Sequence, residues 1–146
     1  MAYQFEHSVE CNTGRDFAWK FWTNVENWAV IDDAIEWVKL DGEFAAGTTG
    51  RTKPRGFEPN EWKLAEVQDG KSAIIEIPLP DAVGKFHWTF AASGNGGTMI
   101  TQRVTLEGEH ADSYIEAMQN LEVGLPQGMK NLAEAIDESA NVAKDS

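Results

Sequence analysis

Cysteine, basic residues and long apolar runs are all scarce in this chain of 146 residues, and each shortage excludes something. The single cysteine, Cys11, rules out an internal disulfide and is typical of proteins kept in a reducing cytoplasm. No apolar run is long enough to cross a bilayer, and the first residues lack the basic start and apolar core of a signal peptide. We therefore expect a cytoplasmic protein without membrane insertion.

Positive charge is in short supply, since 12 lysine and arginine residues face 24 aspartate and glutamate residues, for a formal net charge of -12 at pH 7. Nucleic acid and anionic membrane surfaces attract basic patches, so neither is an expected partner. The local exception is the alternation of Arg51, Lys53 and Arg55. It predicts either a solvated outer strand face or a cationic lip for a ligand carboxylate.

Motifs of recognisable chemistry are also missing. The chain contains no phosphate-binding loop, no dinucleotide fingerprint and no nucleophile elbow. His7, His87 and His110 are too scattered for a metal-binding motif, and Cys11 has no CxxC partner. We expect no metal and no cofactor. Whether the protein is an enzyme, and its oligomeric state, stay open at this stage.

A long apolar stripe near the C-terminus is the strongest positive signal. Its members recur three or four residues apart: Tyr114, Met118, Leu121, Leu125, Met129, Leu132 and Ile136. This spacing predicts one helix over roughly residues 111–140 with a single apolar face. Pro126 lacks an N–H and disfavours a helical residue before it, and Gly124 weakens the same turn. We therefore predict a kink or a short break over residues 124–127.

Upstream of this helix the sequence predicts short strands joined by tight turns. The predicted strands are 3–11, 35–40, 47–53, 61–68, 71–79, 84–92 and 98–106, with short helices at 15–22 and 24–28. Thr13 and Asp16 resemble a capping box at the start of the first helix. Because short turns imply antiparallel pairing, we predict an α+β fold in which a curved antiparallel sheet wraps a long C-terminal helix. The length predicts a single domain, residues 1–146.

Several local patterns match a known family. They are Trp37–Gly42 leading into Phe44, Trp62 at the start of a strand, Gly97–Gln102, and Gly124–Met129. Together with the order of the elements they resemble the START/Bet v 1-like (SRPBCC) superfamily and its polyketide cyclase/dehydrase-like branch. The resemblance implies a helix-grip fold. It also implies a cavity between the sheet and the long helix that takes a small apolar or amphipathic molecule, such as a lipid.

The side chains expected to face this cavity alternate inward on the strands or lie on the apolar helix stripe. They are Trp22, Trp37, Trp62, Ile75, Ile77, Phe86, Trp88, Phe90, Gln102, Val104, Tyr114, Met118, Leu121, Leu125 and Met129. The six tryptophans either fill the core or form a cavity wall with polar indole edges. Gln102 is either a satisfied core amide or a partner for a ligand carbonyl or hydroxyl.

Three functions remain open from the sequence. The first is binding of a small hydrophobic ligand. The second is a cyclase, dehydrase or hydrolase acting on an aromatic or polyketide-like substrate, with Gln102, Tyr114 or an inward Glu76 as orienting or acid/base groups. Alternation points Glu76 outward unless a bulge shifts the register. The third is a module that docks a protein partner.

Overall fold

The computed structural model describes residues 3–145, with side chains through residue 142. The chain runs through β1 (Tyr3–Cys11), α1 (Arg15–Thr23), α2 (Glu26–Ile31), β2 (Ile35–Leu40), β3 (Thr49–Pro54), β4 (Asn60–Gln68), β5 (Ser72–Leu79), β6 (Ala82–Ala92), β7 (Thr98–Glu107), a 3-10 turn (Ala111–Tyr114) and α3 (Ile115–Asp145). The predicted succession of a strand, two short helices, six strands and a long helix is confirmed.

The seven strands form one antiparallel sheet in the order β1-β7-β6-β5-β4-β3-β2. Each strand from β2 to β7 pairs with its neighbour in the chain through a short connection, whereas β1 pairs with β7. The predicted hairpin after residue 92 joins β6 to β7, where Ser93 N–H donates to the Gly97 carbonyl at 3.0 Å.

The long helix α3 packs the predicted apolar stripe against this sheet. Met129, Leu132 and Ile136 are almost fully buried, in one cluster with sheet residues such as Leu64 and Ile100. Burying these apolar side chains removes their surface from water, which stabilises the packing of α3 on the sheet. This contact fixes the helix-grip architecture.

The predicted break in the long helix is wrong, because α3 continues through Pro126 without interruption. Proline leaves the Glu122 carbonyl without its usual helical donor, since Pro126 has no N–H. Burial of Leu125 and Met129 on either side of Pro126 keeps the helix against the sheet. Tertiary packing therefore outweighs the local preference to end the helix. The predicted kink stays a prediction.

The capping box at the start of α1 is also absent. The residue at the N-cap is Gly14, and no side chain caps the helix. Thr13 Oγ1 instead donates to Asp137 Oδ1 of α3 at 2.6 Å. The second short helix begins and ends later than predicted, at Glu26–Ile31, which moves Trp28 and Ile31 onto the same element.

Candidate functional site

A cavity of about 490 Å³ lies between the sheet, α2 and α3. Its lining is mostly apolar and aromatic: Trp22, Trp28, Ile31, Asp32, Ile35, Thr52, Trp62, Ile75, Ile77, Phe86, Trp88, Gln102, Asn120, Leu121, Gly124, Leu125, Gly128, Met129, Asn131 and Leu132. Asp32, Asn120, Gly124 and Gly128 are exposed, so the cavity opens to solvent between α2 and α3. Its volume is within the usual range of small-molecule sites, about 300–1,000 Å³.

An energy estimate shows that this space is not a packing defect. A dry void of this size would cost about 12 kcal/mol at ~24 cal/mol per Å³, as much as the whole stability of a typical domain. The exposed residues at the mouth admit water or another small molecule instead. The sheet and α3 are therefore held apart around an accessible space.

Four indole rings form one continuous wall of the cavity. Trp88 packs against Trp22 with ring centroids 5.0 Å apart, Trp22 stacks on Trp28 at 5.8 Å, and Trp28 stacks on Trp62 at 5.4 Å. Trp28 Nε1 donates to the Trp22 carbonyl at 2.7 Å, and Trp62 Nε1 donates to Thr52 Oγ1 at 2.9 Å. Stacking and hydrogen bonds together hold these rings rigidly, as a preformed surface for a planar or apolar molecule.

The backbone of β3 makes room for this wall. A Cβ atom added at Gly50 would lie 2.4 Å from the Trp62 ring, so only glycine lets that indole lie flat across the strand. Gly50 faces the same side as Thr52, which lines the cavity two residues further along β3. The glycine in β3 is therefore part of how the wall is built.

Gln102 is the main polar group inside the cavity. It lies on β7 opposite Trp88 and is only 5% exposed. Its side chain makes no hydrogen bond among the described residues. The only fully buried side-chain oxygen or nitrogen without a partner in this part of the chain is Ser93 Oγ, so the Gln102 amide must border open space. Its donor and acceptor are both free for a molecule in the cavity.

Two of the wall indoles offer further donors. In the part of the chain that the structure describes, Trp22 Nε1 and Trp88 Nε1 make no hydrogen bond. Neither nitrogen atom is completely shielded from solvent. Trp22 is only 2% exposed. The buried part of the cavity is therefore lined by carbon and by a few neutral polar groups.

Ten of the fifteen residues that the sequence predicted for this cavity line it. They are Trp22, Trp62, Ile75, Ile77, Phe86, Trp88, Gln102, Leu121, Leu125 and Met129. Alternation along the strands and the 3.6-residue period of the helix were sufficient to identify these positions.

The other five predicted residues lie elsewhere. Phe90 packs behind the wall against Trp19 and Trp22, and Val104 is fully buried in the core. Met118 covers Gly84, whose added Cβ would lie 3.5 Å from the Met118 methyl group.

Tyr114 and Trp37 both have partners outside the cavity. The Tyr114 hydroxyl donates to the Pro80 carbonyl at 3.0 Å and so ties the 3-10 turn to the turn between β5 and β6. Trp37 lies on the outer face of β2, because its neighbour Val38 is the buried one, and Lys39 Nζ lies 4.8 Å from the centre of its ring. Neither side chain lines the cavity.

Sequence reasoning missed the residues of α2 and the small residues of α3. Trp28, Ile31 and Asp32 line the cavity because α2 closes its side, a placement that no local pattern encodes. Gly124 and Gly128 lie one helical turn apart, and a Cβ added at either would touch nothing within 4 Å. Two glycines spaced by four on an otherwise amphipathic helix were the available signal for an opening.

The groups proposed for acid/base chemistry are not gathered in the cavity. Glu76 faces outward between Ile75 and Ile77, and it pairs in register with Lys63 and Lys85. A bulge does occur nearby, but it falls on β4 between residues 64 and 66 and leaves β5 in phase. Among the described residues, Asp32 is the only titratable side chain in the lining.

The basic residues of β3 lie on the outer face of the sheet. Arg51 NH2 is 3.6 Å from Asp41, and Lys53 Nζ forms an ion pair with Glu36. The hydrogen bond from Lys53 holds the pKa of Glu36 below its ordinary value. Arg55 Nε donates to the Asp33 carbonyl at 2.7 Å. Arg51, Lys53 and Arg55 do not line the cavity, which gives the cationic lip no support, and Arg51 and Lys53 lie on an outer strand face, the other predicted alternative.

Other reactive groups are absent from the site. Burial raises the pKa of the Cys11 thiol, which removes the thiolate that a nucleophile or metal ligand needs. Within residues 3–142 no group of three or more histidine, cysteine or acidic side chains is arranged to hold a metal ion. None of the described helices combines the length and the hydropathy of a segment that crosses a membrane.

Comparison with known proteins identifies the fold. No protein-family model matches the chain. No curated protein sequence is significantly similar to it. Solved structures do match, with probability 1.00 in each of the cases described here. The chain shares the helix-grip fold of these structures, as its resemblance to START/Bet v 1-like proteins predicted.

Three of these structures show how closely the folds agree and how low the sequence identity is. Ara h 8.0201 superimposes with a TM-score of 0.74 at 16% identity, over 92% of this chain and 97% of its own. Norcoclaurine synthase from Thalictrum flavum superimposes with a TM-score of 0.71 at 12% identity, over 94% of this chain and 92% of its own. The di-domain ARO/CYC StfQ from the steffimycin biosynthetic pathway gives 0.73 at 15% identity, over 94% of this chain and 51% of its own. At these identities the similarity establishes the fold alone.

Proposed function

We propose that this protein binds a small apolar or amphipathic molecule in the cavity between its sheet and α3. The observation that carries the proposal is Gln102, a 95% buried amide that borders the cavity without a hydrogen-bond partner among the described residues. In the free protein, water that enters through the mouth is the available partner of this amide. A ligand carbonyl or hydroxyl would satisfy it, while the aromatic wall covers the ligand's apolar body.

The relatives support the same reading at the level of the fold. One structure of norcoclaurine synthase from Thalictrum flavum holds dopamine and hydroxybenzaldehyde, and the di-domain ARO/CYC StfQ comes from the steffimycin biosynthetic pathway; both share this architecture. The proposal treats residues 1–146 as one domain, because the cavity needs walls from the sheet and from α3 together.

Catalysis has less support than binding. A cyclase, dehydrase or hydrolase mechanism needs at least one well-placed acid or base, and most use two groups acting on one substrate. In the described part of the lining, Asp32 stands alone as a titratable group, and it lies at the exposed mouth. The exposed large apolar side chains include Val30 on α2, Phe57 after β3 and Val123 on α3.

A paired-ligand experiment tests the proposal. We would measure binding of planar apolar ketones and of the matching hydrocarbons by isothermal titration calorimetry, with the wild type and with Gln102→Leu. Loss of the amide is expected to weaken ketone binding about tenfold, the effect of one hydrogen bond, and to leave the hydrocarbon unchanged. The free energy of unfolding should stay the same or rise, because a buried polar group is replaced by an apolar one.

A second variant locates the ligand. Gly128→Phe places a ring at the mouth, where an added Cβ meets no other atom, and it replaces a glycine that weakens the helix. We expect binding to be lost while thermal stability is kept or increased. The matched control is Gly94→Phe, in a turn away from the cavity, where an added Cβ also has open space. Unaltered binding in Gly128→Phe would contradict the proposed site.

A further inference from the structure

The charge at the mouth of the cavity restricts the kind of molecule that fits it. Asp32, at the end of α2, is the only charged residue among the lining residues, and the mouth is otherwise formed by Asn120, Asn131 and the two glycines of α3. Asp32 Oδ1 accepts a hydrogen bond from Ala34 N–H at 2.9 Å, which orients the carboxylate. No lysine, arginine or histidine lines the cavity in the described part of the chain.

The basic residues of β3 and of the turn after it are not part of the cavity lining. Arg51 and Lys53 flank the lining residue Thr52 but lie on the opposite face of the sheet, paired with Asp41 and Glu36. Arg55 uses its Nε on the Asp33 carbonyl. A ligand carboxylate inside the cavity would therefore lose its hydration without gaining a cation in return.

Gln102 determines which chemical groups fit at the buried end of the ligand. Its amide offers a neutral donor and a neutral acceptor in the buried part of the cavity. Such an amide satisfies a carbonyl or hydroxyl of the ligand. The buried end therefore needs no charge on the ligand, and the charge preference is set at the mouth by Asp32.

We propose that the cavity selects molecules whose outward end is neutral or cationic, such as apolar alcohols and amines, and that Asp32 discriminates against carboxylates. This inference rests on the proposed function and adds the charge class of the ligand to it. The overall charge of -12 acts in the same direction, so the test must separate the field of Asp32 from that of the whole molecule.

Three probes with one apolar skeleton separate these effects. We would measure the dissociation constants of naphthylethylamine, naphthylethanol and naphthylacetic acid, which is a carboxylate at pH 7, by calorimetry at that pH. The amine is expected to bind about threefold to tenfold more tightly than the carboxylate, with the alcohol between them, as for a partly exposed charge pair. The ratio should fall as salt is raised, because the mouth is open to solvent.

Two matched variants assign the effect. Asp32→Asn removes the charge but keeps an oxygen that accepts from Ala34 N–H, and we expect it to reduce the amine-to-carboxylate ratio while alcohol binding is unchanged. Asp33→Asn changes the net charge equally at an adjacent exposed residue outside the lining, and it should change the ratio clearly less than Asp32→Asn does.

The outcomes separate this inference from the proposed function. Equal binding of the three probes by the wild type, or equal effects of the two variants, would overturn the role of Asp32 and leave the binding site standing. Failure of the alcohol to bind, with the amine and the carboxylate failing as well, would count against both.

Discussion

Asp137 shows how a single side chain joins distant parts of this fold. Its carboxylate accepts hydrogen bonds from Asn12 N–H at 2.9 and 3.1 Å and from Thr13 Oγ1 at 2.6 Å. These bonds connect the turn between β1 and α1 to the second half of α3, on the side of the helix away from the cavity mouth. They fix where the helix lies along the sheet.

Replacing Asp137 by alanine is expected to lower the free energy of unfolding by about 1–3 kcal/mol, since hydrogen bonds to a charged acceptor are lost and their donors left without it. Urea denaturation measures the change. The control is Glu138→Ala, which removes the same charge from the next residue, an exposed one. Equal destabilisation by both variants would mean that the loss of a negative charge, and not the loss of these hydrogen bonds, lowers the free energy of unfolding.

The sequence predicts residue orientation well and residue partners poorly. Alternation is a local property, so it placed Gln102 inward and Glu76 outward correctly. The partner of Thr13 could not be predicted in this way. A short hydroxyl side chain can bond to its own backbone or to a carboxylate more than a hundred residues away, and only the tertiary arrangement decides between them.

At the scale of elements, α3 departs most from local expectation, because it keeps Gly124, Pro126 and Gly128 inside one continuous helix. Each of these residues weakens a helix. All three are exposed, so none contributes to the buried stripe. The two glycines line the cavity mouth, where the absence of side chains keeps the opening wide and lowers the stability of the helix.

Replacing Pro126 by alanine is expected to raise the free energy of unfolding by about 1–3 kcal/mol, because alanine restores a donor for the Glu122 carbonyl and favours the helix. Thermal and urea unfolding measure the gain. Val123→Ala, at another exposed position of the same segment, should give only about 0.5 kcal/mol from helix propensity. A gain at Pro126 no larger than this would show that packing already absorbs the effect of proline.

The apolar stripe therefore predicted which face of α3 is buried, but local propensity could not predict that the helix is continuous. The position of α2 was likewise beyond local reasoning. Its six residues contain no fully buried side chain, so they carry little signal of the surface against which they pack. These two elements supply most of the lining that the sequence did not identify.

At the scale of the whole molecule, the excess of acidic residues is a source of repulsion within the folded state. Raising the ionic strength from about 0.01 M to about 0.15 M shortens the screening length from ~30 Å to ~8 Å. We expect the melting temperature to rise by a few degrees over this range, measured by calorimetry. Sodium and potassium chloride should act equally if screening is the cause. A constant or falling melting temperature would contradict this account.

The pairing of β1 with β7 also determines the order in which the chain can fold. Residues 3–11 are the first strand of the chain, yet they pair only with residues 98–106, while all other strands pair with a neighbour in sequence. During synthesis the first strand must wait until nearly the whole sheet has been made. Since long-range pairing closes large loops, we expect folding in milliseconds to seconds, with β1 joining late. Until then the apolar side chains of β1 and the edge of β7 stay uncovered. An uncovered strand edge can pair with another chain, so misassembly is expected at this strand pair.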